Sequence, residues 1–383
     1  MADPPDDAAA DDAGPEASAE LIELREAIAE VDRSLLELLH RRMDLAAAVG
    51  RLKAAEKAPI FVPEVHDRVL RRARRHADAC GVSEQVMEAI FSAVMRGSIE
   101  RQHQMAAEMR STAGGRMLLV GGAGNMGGWF QGFARRVGHR VDVVDPAMIP
   151  LPAAGGRFGR FSDIADLDPY DAILVTVPLG VMPAVLAEVV AARPRGLVIE
   201  IASIKDHLQD VIARGLDLGV RVSSLHPMFG PGKSHYETLT FVLACHRDPQ
   251  DEKQTIESWL RYPNTHVVSV PFDHHDRLMG WLLGLAHFSG MFFGCALTSS
   301  GLGAEELAAC ASTTYNRQLS TARSVLQEDP DLYFDIQSLN PHRGDVYRAA
   351  REALDQLVAA VQSGDRQRFR NLVGKASQFV CGA

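Results

Sequence analysis

Two runs of this chain hold residue types whose chemistry is complementary. They are Gly122-Ala123-Gly124-Asn125-Met126-Gly127 and, roughly a hundred residues later, Leu225-His226-Pro227-Met228-Phe229-Gly230-Pro231. The glycines let a backbone close on a pyrophosphate, and a helix opening there faces it with free N–H groups. In the second run proline and glycine hold an imidazole, the side chain best matched to accepting a proton near neutral pH. A nicotinamide cofactor beside such a base removes a hydride and a proton from one carbon–oxygen centre.

That pairing requires elements that bring the two runs to one crevice. Met117 to Val120 reads as a short buried strand, then come the glycines and a helix to Val137. Arg140 to Asp145, Ala172 to Val177 and Gly196 to Ile201 read as further strands, the last two separated by a helical stretch. The alternation predicts a doubly wound, mostly parallel sheet whose strand carboxyl ends face a ligand crevice. Asp145 lies 18 residues after Gly127 and closes the second strand. There it accepts hydrogen bonds from a ribose 2′-hydroxyl and repels a 2′-phosphate, favouring NAD over NADP. The expected cofactor-binding residues are Gly122, Gly124, Asn125, Met126, Gly127, Asp145 and Pro178. His226 is expected between a strand, Val220 to Leu225, and the Pro/Gly loop. Glu200-Ile201-Ala202-Ser203-Ile204-Lys205 ends the preceding strand and brings Ser203 to the same crevice. After Pro271 the strands stop, and helical patterns run to the end with Gly301, Gly303 and Gly364 as breaks.

Upstream, apolar residues at 21, 24, 28, 31, 35, 38, 45, 49 and 52 alternate in threes and fours, the seam of a long helix. From Leu21 to Leu52 it would measure roughly 48 Å, so a partner helix, from a second subunit, is expected. Pro59 ends it. Helices over Pro63 to Cys80 and Ser83 to Met109 follow, with Gly81-Val82-Ser83 as break and N-cap. Ser111 to Gly115 reads as a linker. Arg42 stands where the seam demands a hydrophobe, and an unpaired cation in a helix interface is costly, so an anion is expected there. Lys53, eleven residues on, shares nearly the same side. Arg25, seventeen residues back, is roughly 260° round and would serve a neighbouring subunit's site.

Composition bounds the rest. The chain has 383 residues, 46% of them hydrophobic, enough for two or three domains. Five scattered cysteines (80, 245, 295, 310, 381) form no CxxC pair, which argues against a zinc site or a disulfide framework and for a reducing compartment. Residues 1 to 20 hold seven acids and no Lys or Arg, an expected disordered tail. Without them the net charge of −9 nearly vanishes, so neither nucleic acid nor membrane is implied as a partner. No apolar run approaches the roughly 18 residues that span a bilayer, and a cytoplasmic location is expected.

The runs Gly121 to Gly128, Glu200 to Lys205 and Leu225 to Pro231 resemble prephenate dehydrogenase, and the arrangement is most similar to the bifunctional chorismate mutase–prephenate dehydrogenases. The resemblance covers nearly the whole chain after residue 20. Beyond the acidic tail expected from composition over 1–19, it implies an all-α mutase-like domain over 20–108. A Rossmann-type NAD domain over 116–271 and an all-α dimerisation domain over 272–383 complete the expected homodimer subunit. It implies oxidation and decarboxylation of prephenate with NAD as cofactor, His226 as base and Ser203 orienting it or the substrate hydroxyl. Alignment of Asp329-Pro330-Asp331-Leu332-Tyr333 puts Arg323 at the family's substrate arginine, while His287 falls on a further substrate histidine. A second family arginine appears here as Asn316.

For the mutase, which rearranges chorismate to prephenate, the resemblance implies roles for Arg25, Arg42, Lys53, Ser98 and Gln102. Two positions depart: Val65 and His66 stand where the family has Arg and Glu, and that Glu contacts the substrate's C4 hydroxyl. Retained or weak mutase activity, a decayed mutase kept for dimerisation, and a 4-amino-4-deoxychorismate substrate all remain open on this ground. Two rivals of other kinds are a non-catalytic NAD- or tyrosine-responsive regulator and an oxidoreductase of hydroxy acids. The latter leaves the mutase-like segment without a role.

Overall fold

The computed structural model describes residues 18–56, 58, 62–109, 114–147, 156–235, 237–262 and 265–382. The expected tail up to residue 17, Pro59 and linker residues 111–113 lie outside them. Two compact units divide the chain, residues 1–111 and 112–383.

The first unit is helical: α1 (Ala19–Ala55), α2 (Pro63–Cys80) and α3 (Glu84–Met109). Ser18 Oγ caps α1 by accepting from Leu21 N, so the helix begins inside the segment expected as tail. Gly81, at φ 71°, closes α2 in the left-handed region that glycine adopts without strain. The Ser83 hydroxyl then accepts from Val86 N and opens α3. α1 packs on α3 through small residues, Ala46, Ala47 and Gly50. A Cβ at Gly50 would lie 2.6 Å from Gln102 Cα, so glycine sets how closely the two helices approach. Most of the predicted seam faces outward: Leu24, Ile28, Leu35 and Leu38 are 52–61% exposed.

The second unit is built on one eight-stranded sheet. Its first half comprises β1 (Arg116–Val120), α4 (Asn125–Arg136), β2 (Arg140–Val144), β3 (Arg157–Phe158), β4 (Ala172–Val175), α5 (Met182–Ala191) and β5 (Leu197–Glu200). α6 (Gln209–Asp217), β6 (Val222–Pro227), β7 (Leu239–Cys245), α7 (Pro249–Leu260) and β8 (Thr265–Pro271) complete it. Strand order is β3-β2-β1-β4-β5-β6-β7-β8, parallel except where β7 pairs antiparallel to β6. The central strands are apolar and buried along their length because helices cover both faces. Gly114, expected in a linker, instead bonds through its N–H to Gly138 O and packs on the sheet.

Helices follow: α8 (Phe272–Met279), a π-helical turn (Gly280–Leu285), α9 (Ala286–Thr298), α10 (Ala304–Ala309), α11 (Thr313–Leu326), α12 (Pro330–Ser338), α13 (Arg343–Gln362) and α14 (Arg366–Cys381). The run Phe272–Thr298 is long and apolar enough to cross a membrane by length and composition, which corrects the expectation that no such run exists. The α8 His and Asp residues broke the apolar pattern in the sequence, yet two of them, His275 and Asp276, are buried against the sheet.

A partly buried pair joining β6 to the end of β7 adds to the pH dependence of stability. Ser224 Oγ lies 2.8 Å from His246 Nε2, and burial pushes the His246 imidazole down to about 4. Its ordinary value in the unfolded chain is about 6.5, so on acidification the unfolded state takes the proton first. This contribution is complete above about pH 6.5 and is lost as pH falls toward 4. From about pH 7 to about pH 5 it amounts to roughly 2 kcal/mol. His246→Gln should reduce by about that amount the stability difference that urea unfolding shows between the two pH values, leaving the share of His226 and the other buried imidazoles.

Candidate active site

The glycine run joins β1 to α4 as expected. Gly121, one residue ahead of the predicted motif, has φ 88° and turns the chain out of β1. A Cβ at Gly127 would collide with the Gly121 carbonyl oxygen, so only glycine lets α4 start this close to the strand. Gly124 is the N-cap, and Asn125 and Met126 form the first turn. Beneath them opens a cavity of about 660 Å³, walled in part by Gly121, Ala123, Gly124, Asp145, Thr176 and Pro178. Asp145, just past β2, accepts from Ala123 N and Ala147 N, both at 2.9 Å. Two oxygens so held keep lone pairs for a diol. The cradle, the helix start and the acid fit a dinucleotide. Gly127→Ala should lower affinity for the nucleotide at least about tenfold, because the turn must open to admit the methyl; tryptophan quenching by NADH would read it.

His226 sits inside β6 rather than after it, 3% exposed, its strand running on to Pro227. The strand extends because Leu225, His226 and Pro227 pair with β7, a partner absent from the sequence reading. β6 is two strand spacings from β4, about 10 Å along the crevice from the nucleotide cavity. The loop after it is tied to α4: Trp129 Nε1 donates to Lys233 O at 2.7 Å, and His235 Nε2 lies 2.9 Å from Trp129 O.

Ser203 lies in the turn after β5, close to the level of His226 by the β5–β6 register, and no hydrogen bond joins them among the described residues. The orienting groups come from α8. His226 Nδ1 lies 3.1 Å from His275 Nε2, and His275 Nδ1 lies 2.7 Å from Asp276 Oδ1. Asp276 also accepts from the Lys205 and Asp206 amides at 2.8–3.0 Å. A carboxylate fed by those donors is an acceptor, so His275 carries its proton on Nδ1. His275 Nε2 is then an acceptor, His226 carries its proton on Nδ1, and His226 Nε2 keeps its lone pair.

Beneath the chain of rings, Lys205 Nζ donates to Glu200 Oε1 at 2.7 Å and to Leu225 O at 3.2 Å, with both charged side chains fully buried. Burial, then His275, then Lys205 hold His226 well below its ordinary value, so its imidazole is neutral at physiological pH. Burial lowers His275 too, against the raising bond to Asp276. Burial would raise Asp276, but the bonds from His275 and the backbone leave its carboxyl low.

The remaining sequence candidates scatter. His287, at the start of α9, is half-buried edge-on to Tyr333, ring centroids 4.7 Å apart. Arg323 is exposed on α11, whose Ala322 and Val325 face inward. No contact brings either to His226 among the described residues. In the helical unit Arg42, Lys53, Ser98 and Gln102 do converge, lining a 120 Å³ cavity with Val65 and His66. Arg42 donates to Ser98 Oγ and to Val94 O. Burial lowers Lys53, and burial with nearby Arg72 lowers Arg42. Arg25 is outside that wall, on the exposed part of α1.

Residues 24–103 match the type II chorismate mutase family, residues 151–262 the nucleotide-binding domain of prephenate dehydrogenase and residues 271–375 its dimerisation domain. The chain belongs to the bifunctional chorismate mutase/prephenate dehydrogenase family. Members of this family similar to it include the T-protein of Enterobacter agglomerans, 27% identical over 94% of this chain and 93% of that protein. The T-protein of Haemophilus influenzae is 24% identical over 91% and 89%. Among solved structures, the prephenate dehydrogenase of A. aeolicus in complex with hydroxyphenyl propionate and NAD+ superposes with a TM-score of 0.56. It is 16% identical and covers 70% of this chain and 97% of that one, a likeness of fold.

Proposed function

We propose that His226 is the general base of an NAD-dependent oxidative decarboxylation of prephenate to 4-hydroxyphenylpyruvate, held for that task by His275 and Asp276. The chain is an oxidoreductase and an isomerase of tyrosine biosynthesis, and NAD is its cofactor. The observation that carries the base assignment is the hydrogen-bonded series His226–His275–Asp276, which leaves one imidazole nitrogen available as acceptor.

Held by the glycine turn at the start of α4 and by Asp145, NAD would supply the hydride acceptor for the substrate's carbinol carbon. His226 Nε2 takes the hydroxyl proton, and the positive charge that develops on its ring is answered through His275 by Asp276. The ring carboxylate leaves as carbon dioxide, its bond electrons make the ring aromatic, and the resulting phenolate takes a proton back. Ser203, near the same level of the sheet, is suited to bond the hydroxyl. Arg323 and His287 are assigned to substrate carboxylate and side chain on motif match. The dehydrogenase part is taken as 116–271 with 272–383, and the mutase part as 20–108.

The second activity is the rearrangement of chorismate to prephenate. Its support is the convergence of Arg42, Lys53, Ser98 and Gln102 on one cavity, where the Gln102 amide oxygen is buried without a partner among the described residues. Cations hold carboxylates there, and Lys53 with Gln102 bonds the ether oxygen as charge builds on it. This arrangement favours retained mutase activity over the decayed and amine-substrate readings. Lys53→Met should cut chorismate loss about 10²- to 10³-fold, while NADH formation from supplied prephenate is unchanged. A homodimer is supported by the match to a dimerisation domain and by exposed apolar side chains on α1 and on the C-terminal helices, Phe334 and Val361 among them. In such a dimer Arg25 would reach the neighbouring mutase site. A cytoplasmic location is proposed with it. The direct test is to supply purified protein with prephenate and NAD⁺ and follow NADH; no NADH would overturn the assignment.

A further inference from the structure

The cavity of the helical unit is walled by two cations, Arg42 and Lys53, and by no carboxylate among the described residues. A third cation stands at its edge. Val65 and Val69 of α2 line the cavity, and Arg72 lies one turn past Val69, within about 60° of both round the helix. α2 runs opposite to α3: Arg74 pairs with Glu84 and Glu88 near the start of α3, while Val65 shares the cavity with Gln102 near its end. Arg72 is thereby set toward the end of the cavity where Arg42 donates to Val94 O. The two guanidiniums are close enough to interact, since burial first and then the charge of Arg72 lower Arg42 from its ordinary value. Arg72 is exposed and forms no ion pair among the described residues. Like charges so placed repel, and an anion entering the cavity between them relieves that repulsion.

We propose that Arg72 is a substrate-binding residue of the mutase site, where it takes a carboxylate of dianionic chorismate together with Arg42. The inference rests on that cavity being the chorismate site. Val65, two turns earlier on the same face of α2, offers no charge, so Arg72 is the residue through which this helix supplies its cation. Its guanidinium fork matches a carboxylate, and an exposed arginine can close on the substrate after entry. The ether oxygen is left to Lys53 and Gln102. A carboxylate keeps its charge through the rearrangement, so Arg72 holds substrate and transition state alike. Its loss should therefore appear in KM rather than in kcat.

Chorismate loss is followed on the full chain in parent, Arg72→Met, Arg72→Lys and Arg71→Met, at low and moderate salt, with NADH formation from supplied prephenate as a second readout. Arg72→Met should raise the KM for chorismate about tenfold, with kcat within about threefold of the parent and NADH formation unchanged. Arg72→Lys should recover part of the loss, because an ammonium keeps the charge without the fork. Arg71 is about 100° round the helix from Arg72, so Arg71→Met should stay within about twofold of the parent. Added salt should lower kcat/KM more steeply in the parent than in Arg72→Met. A KM indifferent to Arg72 overturns the proposal and leaves the mutase assignment standing. So does an equal loss in Arg71→Met, which would mean a general field from the arginines of α2. A fall in kcat with a lower melting temperature and no recovery in Arg72→Lys would mark a structural role and overturn it as well. A parent that does not consume chorismate overturns the mutase assignment itself, and this inference with it.

Discussion

His226→Asn should leave NADH binding and chorismate rearrangement near parental levels while NADH production from prephenate falls about 10³- to 10⁴-fold. The carboxamide can take the place of the Nδ1–H donor toward His275, so the buried hydrogen bond at 3.1 Å is kept while the basic nitrogen is lost. The dinucleotide cradle lies on β1, β2 and β4, two strands away, and does not depend on that nitrogen. The mutase residues belong to the other compact unit. Loss of a base normally costs two to four powers of ten, and aromatisation of the ring provides enough drive that some turnover with water as acceptor persists. Saturating both substrates and comparing kcat separates this from weakened binding. A variant within a few-fold of the parent would remove His226 from the chemistry.

The parallel core was legible in the sequence because a doubly wound sheet leaves continuous apolar strands between helices. The dinucleotide turn was legible because only glycine fits at Gly127. The antiparallel β7 was not, and with it went the true position of His226. A strand ending in Leu-His-Pro looks finished unless a neighbour is known to pair with it, and that neighbour lies a dozen residues on, past the Pro/Gly loop. His275 as the partner of His226 was missed for a related reason. Proximity along the sheet was readable, but the residue that reaches His226 arrives from α8, 49 positions later in the chain. The signal was present as Asp273-His274-His275-Asp276, where an acid next to a histidine precedes an otherwise apolar helix. It lies at the start of the region read only as helical, and no role was drawn from it. The pairing of Lys205 with Glu200 was likewise hidden, since one ends β5 and the other lies in the turn five residues on, and charges there suggest exposure unless they neutralise one another. In the mutase unit spacing was enough for Arg42 and Lys53, which share one helix whose periodicity fixes their common side, whereas Ser98 and Gln102 on α3 came only with the family resemblance.

Asp276→Asn should lower kcat about 10²- to 10⁴-fold although residue 276 touches neither substrate nor cofactor. The backbone amides of Lys205 and Asp206 require an acceptor, so the carboxamide oxygen stays with them and its NH2 group turns to His275 Nδ1. His275 must then hold its proton on Nε2 and donate to His226 Nδ1, which drives the His226 proton onto the nitrogen that should be the base. The pH profile distinguishes this from general damage. In the parent the base works unprotonated, and burial holds it well below the ordinary imidazole value. The rate should therefore be flat above about pH 6.5 and fall only at lower pH. A tautomer reversed by the Asp276→Asn substitution is a neutral form, so added hydroxide cannot correct it, and the plateau itself should drop at every pH with the KM for prephenate little changed. A merely structural role for Asp276 would instead appear as a lower melting temperature, with kcat of the folded fraction preserved. Preserved kcat would leave His226 without its support and refute the series of bonds as the device that sets its tautomer.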